Sequence, residues 1–137
     1  MPSGRKYSAP DIDVYFEARL CIHAERCVHG LPDVFDVAKR PWIQPGNAEA
    51  DSLAKTIERC PTGALHYERH DGAGEKPQTV DMVTVVGKGP LYVRGDVTLT
   101  LPDGRVVRHD SRLALCRCGA SKNKPYCDNS HREIAFE

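Results

Sequence analysis

The residues able to do chemistry fall into two sets of soft donors. Near the C-terminus, Cys116, Cys118, Cys127 and His131 follow one another as C-x-C-x8-C-x3-H within the segment CRCGASKNKPYCDNSH. Three thiolates and an imidazole at such short spacing suit zinc or an iron–sulfur cluster and are too soft for magnesium or calcium. Gly119 permits the tight backbone that a C-x-C chelate requires. Pro125 stiffens the return to Cys127, and Asp128 and Ser130 stand where they can hydrogen-bond around the ligands. His131 shares a face with Cys127 if a helical turn begins there. Donor identity alone leaves a structural zinc site and an iron–sulfur cluster as alternatives.

The second set is Cys21 and Cys27 in CIHAERC, with Cys60 and Pro61 in CPTGAL. A bacterial ferredoxin run is C-x2-C-x2-C with a distant Cys followed by Pro. Cys21 and Cys27 occupy its first and third places, and Cys60 the last. The second place is Ala24, which cannot bind metal, and His23 sits immediately before it. Three thiolates alone suit a [3Fe–4S] cluster, whereas a [4Fe–4S] cluster needs a fourth ligand, for which His23 is nearest. A zinc site from Cys21, His23, Cys27 and Cys60 is also reasonable, as is plain burial of Cys60 on an apolar helix face.

Two resemblances bear on these sets. The C-terminal segment resembles the CDGSH iron–sulfur family through Cys116, Cys118, Ser121, Pro125, Cys127, Asp128, Ser130 and His131, with Asn129 where that family usually has Gly. Asn tolerates a left-handed backbone better than other non-glycine residues, so the departure is mild. The resemblance implies a [2Fe–2S] cluster held by three Cys and one His, with Ser121 among the supporting residues, and commonly a homodimer. Residues 10–70 resemble a divergent mono-cluster ferredoxin domain, with Phe35 and the CPTGAL segment also matching. That resemblance implies a [4Fe–4S] cluster. A neutral imidazole in place of a thiolate makes a cluster less negative and raises its potential. Arg117, Lys122 and Lys124 are expected to push the same way. Imidazole accepts a proton near physiological pH, so electron transfer or cluster loss is expected to couple to His131 protonation.

The elements that must position these donors are small. In a chain of 137 residues, 19 Lys and Arg balance 19 Asp and Glu, so nothing forecasts a polyanionic partner such as nucleic acid. Met1 to Pro10 lacks the apolar stretch of a secretory signal, and no run approaches the roughly 18–20 apolar residues of a membrane span. The chain therefore reads as soluble and cytoplasmic, where six cysteines are expected to be metal ligands or reactive thiols rather than disulfides. Alternation at Ile12, Val14 and Phe16 predicts a strand. The spacing of Leu53, Ala54 and Ile57 predicts a helix over 48–59 with Asn47 as N-cap, and Leu65 and Tyr67 predict a return strand. Later, Val83 and Val85, Leu91 and Val93, and Val97, Leu99 and Leu101 alternate as strands. A turn at Pro102-Asp103-Gly104 precedes Val106 and Val107.

The expected architecture is α+β: a ferredoxin-like module over 1–70, a polar linker over 71–79, and a strand-rich CDGSH-type module over 80–137. Each half is small enough for a metal to be a useful staple. No nucleophile–base pair and no GxSxG is present, and GKGP at Gly87 to Pro90 is not a phosphate loop, so no enzyme activity is expected. The favoured function is one-electron transfer between protein partners, with no nucleic-acid or membrane partner. The rivals are an iron–sulfur carrier that hands its cluster to apo-acceptors, a redox or pH sensor with a labile His ligand, and a zinc-stapled adaptor.

Overall fold

The computed structural model describes residues 4–76 and 81–134. Residues 77–79 of the predicted linker, residue 80 and the two chain ends lie outside the described residues. The fold is α+β, with two antiparallel three-stranded sheets and few helices. The chain divides into two compact units, one of residues 1–60 and 64–75, the other of 61–63 and 76–137.

In the first unit β1 (Arg5–Ser8), β2 (Ile12–Phe16) and β3 (Leu65–Arg69) pair in the order β1-β2-β3. Strand β1 escaped the sequence reading because RKYS carries a single apolar anchor. Tyr7 pairs with Val14, which in turn pairs with Tyr67, and all three are buried. A short helix α1 (Arg26–Gly30) follows Cys21, and α2 (Ala50–Ile57) supplies the main helical face. Leu53, Ala54 and Ile57 are buried together with Val34, Phe35, Ile43 and Leu65. Burial of each large aliphatic side chain contributes about 1.5–3 kcal/mol. Trp42 packs edge-on against Phe16 at 5.0 Å between ring centres and tilts over Phe35 at 5.9 Å, as a packing anchor does.

The expected cap of this helix is corrected. Asn47 does not cap α2; Glu49 is the N-cap, without a side-chain hydrogen bond. The Asn47 amide instead donates to the Asp33 carbonyl and the Gln44 side chain, because Pro45–Asn47 form a separate turn of 3-10 helix. The helix accordingly starts later and ends earlier than the apolar spacing suggested.

In the second unit β4 (Met82–Val85), β5 (Leu91–Thr100) and β6 (Val106–Leu115) form a meander. The two predicted runs at Leu91 and Val97 are one strand, β5, whose register shifts between Arg94 and Val97 around Gly95 (φ +145°). Strand β6 continues eight residues beyond Val107 because Arg108, Asp110 and Arg112 satisfy its inward positions with charge. Arg108 pairs with Asp110 at 2.9 Å, and Arg112 is fully buried. Gly63 lies against this ladder: Arg108 donates to its carbonyl at 3.3 Å, and an added Cβ would stand 2.6 Å from Asp110 Oδ2 and from the Arg112 carbonyl. Among the described residues all six cysteines are free thiols, and no helix is long and apolar enough to cross a membrane.

Candidate metal centres

Strand β6 ends at Leu115 and delivers Cys116 into a loop that folds back on the strand. Cys116 N–H donates to the Pro125 carbonyl at 2.8 Å, and Cys127 N–H donates to the Ala114 carbonyl at 2.9 Å. Tyr126 pairs with Leu115 as an isolated bridge. These bonds bring the two ends of the loop together, so the four sequence-predicted donors meet as two pairs. Cys116 and Cys118 sulfurs are 3.9 Å apart, and Cys127 Sγ lies 3.8 Å from His131 Nδ1. Among the described residues, no three His, Cys, Asp or Glu side chains converge on a point that one ion would occupy.

The backbone serves the sulfurs directly. Gly119 N–H points at Cys116 Sγ (3.3 Å), Ala120 N–H at Cys118 Sγ (3.4 Å) and Asn129 N–H at Cys127 Sγ (3.4 Å). Left-handed backbones at Gly119 (φ +82°) and Asn129 (φ +70°) aim these donors. A 3-10 turn over Ser130–Arg132 then carries His131 back beside Cys127. Burial pushes the Cys116 thiol up, but N–H groups of Ser121, Gly119 and Cys118 outweigh it and leave the thiol below its ordinary value. Cys127 goes the other way: burial raises it, the Asn129 N–H opposes, and the charges of Asp128, Cys116 and Cys118 raise it further. Cys127 and His131 are 3% and 9% exposed, so this pair is enclosed.

Ser121, Asp128 and Ser130 brace the loop. Ser121 Oγ donates to the Tyr126 carbonyl at 2.6 Å and accepts from Asn123 N–H. The Ser130 side chain first, then Lys122 N–H at 2.8 Å and Ser130 N–H at 3.0 Å, hold the Asp128 carboxyl at about 2. Sequence reasoning missed the role of Arg117. Its guanidinium donates to the Gly89 carbonyl at 3.0 Å and the Val86 carbonyl at 2.9 Å, tying the β4–β5 turn to the residue between Cys116 and Cys118. The pairing of a C-x-C arginine with GKGP has no local sequence signal.

In the first unit, Cys21, Cys27 and Cys60 are partly buried and close enough for charge on Cys60 to act on the other two. Burial first, then Cys60, pushes the Cys27 thiol up to about 11; Cys21 is raised by burial against the His23 N–H. His23 (φ +56°) and Glu25 (φ +62°) flank Ala24 in left-handed conformations that non-glycine residues rarely adopt. His23 is exposed, and what reaches Cys21 Sγ is its backbone N–H, at 3.4 Å. All-thiolate donors with N–H support fit an iron–sulfur group here, and the Cys3His set with three N–H···S contacts fits one in the second unit.

Two family models match the chain: a divergent 4Fe–4S mono-cluster over residues 7–70, and an iron-binding zinc finger of CDGSH type over residues 88–132. Among curated proteins, the uncharacterised YjdI of Escherichia coli strain K12 is 41% identical over 66 residues, spanning 48% of this chain and 86% of that relative. YjdI of Escherichia coli O157:H7 gives the same figures. No solved structure matches the chain.

Proposed function

Since the chain belongs to the divergent 4Fe–4S mono-cluster family through its first half and to the iron-binding CDGSH type through its second, we propose that it passes single electrons between protein partners. The observation that carries this reading is the pairing of donors in the second unit, each sulfur backed by a backbone N–H at 3.3–3.4 Å. Cys116 with Cys118, and Cys127 with His131, would hold a [2Fe–2S] group, which supplies one-electron chemistry when bound. The N–H donors lower the charge that the sulfurs present, and the loop bonds fix ligand positions so that little rearranges between oxidation states. Burial of Cys127 and His131 favours retention over hand-over to an apo-acceptor.

In the first unit Cys21, Cys27 and Cys60 would hold a [3Fe–4S] group, or a [4Fe–4S] group if His23 turned inward. The three-thiolate form is the better supported, because the His23 side chain is exposed. A reducing cytoplasmic setting suits six free thiols. No substrate chemistry is assigned to the chain.

The test is iron, zinc and acid-labile sulfide analysis of anaerobically purified protein, with electron paramagnetic resonance before and after dithionite. Iron and sulfide in both units, reversibly reduced with the metal retained, is the expected result. Stoichiometric zinc without sulfide would overturn it. Intact transfer of [2Fe–2S] to an apo-ferredoxin would replace electron transfer with cluster carriage. For the first unit, H23A should leave the cluster signal unchanged, whereas A24C should convert a three-iron signal into a four-iron one.

A further inference from the structure

We propose that the exposed cations around the Cys116–His131 loop form a docking surface for an acidic redox protein. The inference rests on the electron-transfer reading and adds the chemistry of the partner. Lys122, Lys124 and Arg132 are exposed, and among the described residues none of their side chains enters an ion pair. Lys88 joins them through Arg117. By binding the carbonyls of Val86 and Gly89, Arg117 fixes the turn that carries Lys88 against the C-x-C segment. Lys88 takes φ +55° and is exposed, while Gly89 and Pro90 beside it are buried.

Within residues 86–90 and 116–134 there are five cations and two carboxylates. Asp128 keeps its negative charge but is half-buried and turned to the N–H groups of Lys122 and Ser130, and Glu133 is the exposed acid of these two segments. Arg117 is likewise turned to backbone carbonyls. The exposed charges of these two segments are therefore Lys88, Lys122, Lys124 and Arg132 against Glu133, and with Arg117 and Asp128 counted the segments carry a net +3 on a chain whose net charge is zero. Lys124 is three residues from Cys127, a reach of at most about 11 Å. That is comparable to the Debye length of about 8 Å at physiological ionic strength, so the cations act on whatever approaches the ligands. A nucleic acid is the poorer occupant. Tyr126, the aromatic of the loop, is 6% exposed and offers no stacking face, and four cations neutralise few phosphates.

The probe is a plant-type [2Fe–2S] ferredoxin of net negative charge, with cationic cytochrome c as the opposite control. When reduced ferredoxin meets the oxidised protein, ferredoxin loses one electron and this protein gains it; no covalent bond forms or breaks. Two measurements separate docking from electron transfer. Fluorescence anisotropy of labelled ferredoxin with both proteins oxidised reads binding alone, and stopped-flow spectroscopy reads exchange.

The expected result is binding that weakens with added salt and falls roughly tenfold or more in K88E/K122E/K124E/R132E, with a parallel fall in the exchange rate. The same variant should exchange faster with cytochrome c. The corresponding four-glutamine variant should show a smaller loss of the same sign, which keeps the test decisive if charge reversal harms folding. Salt-independent binding, or variants that bind and exchange like the wild type, would overturn the docking surface even with electrons flowing. Salt-dependent binding without exchange would overturn the electron-transfer reading and leave the surface standing. Tighter binding of a single-stranded oligonucleotide or of phosphatidylserine vesicles than of ferredoxin would reassign the surface and sink the proposal.

Discussion

Replacing Arg117 separates two things that an arginine between two candidate ligands can do. As a charge it raises the potential of a neighbouring centre; as a planar fork it holds the Val86–Pro90 turn through two carbonyls. The structure favours the fork, because Nε and Nη2 both donate, at 3.0 and 2.9 Å. In R117A the Val86 carbonyl keeps the Gly89 N–H at 3.0 Å, whereas the buried Gly89 carbonyl loses its arginine donor. A hydrogen bond from a charged donor is worth about 1.5–3 kcal/mol, and stranding a buried carbonyl costs about 1–3 kcal/mol. Since one acceptor remains satisfied, the net loss should be about 2–3 kcal/mol, or roughly 30- to 150-fold in the opening equilibrium of the turn. If the metal leaves through that opening, its release to a chelator should accelerate by the same factor. The assay follows loss of visible absorbance under excess chelator, with amide exchange at Val86 and Gly89 as an independent readout. R117K keeps the charge without the fork and should resemble R117A in release rate while keeping a near wild-type potential. Wild-type release from R117A, or full rescue of the release rate by lysine, would refute the reasoning.

Three further outcomes follow from other parts of the molecule. H131C should lower the potential of the second-unit centre by on the order of 100 mV, read by spectroelectrochemical titration; an unchanged potential would remove His131 from the ligand set. G63A places a Cβ 2.6 Å from the Asp110 carboxylate and the Arg112 carbonyl at φ +76°, so it should destabilise the second unit by about 2–4 kcal/mol; an unmoved urea midpoint would show that the ladder yields. His70 lies 2.5 Å from the Pro10 carbonyl and 3.2 Å from Asp13, and the carbonyl first, then the carboxylate, raises its ionisation above the ordinary 6.5. Its protonated form therefore supports the first unit fully below pH 6.5, and that support fades as pH climbs through the raised value. H70Q should flatten this decline in urea midpoint, and an identical pH profile in the variant would dismiss the contact.

The candidate donors could be named from the sequence because ligand chemistry depends on residue type and short spacing, and the structure brings Cys116 beside Cys118 and Cys127 beside His131. Cys116, Cys118, Cys127 and His131 lie within one loop, so chain connectivity alone keeps them near one another. Strands such as β2 and β3 and the face of α2 were legible because burial imposes a period on apolar residues. Strand β1 and the extension of β6 were not, since one anchors through a single tyrosine and the other fills inward positions with Arg108, Asp110 and Arg112. Nor could local sequence show that the donors stand as two pairs, that the His23 ring faces solvent while its N–H serves Cys21, or that Arg117 reaches back some thirty residues to Val86 and Gly89. Those arrangements are set by backbone N–H direction and by hydrogen bonds between segments distant in sequence. Residue type does not encode such bonds; only the folded chain brings their donors and acceptors together.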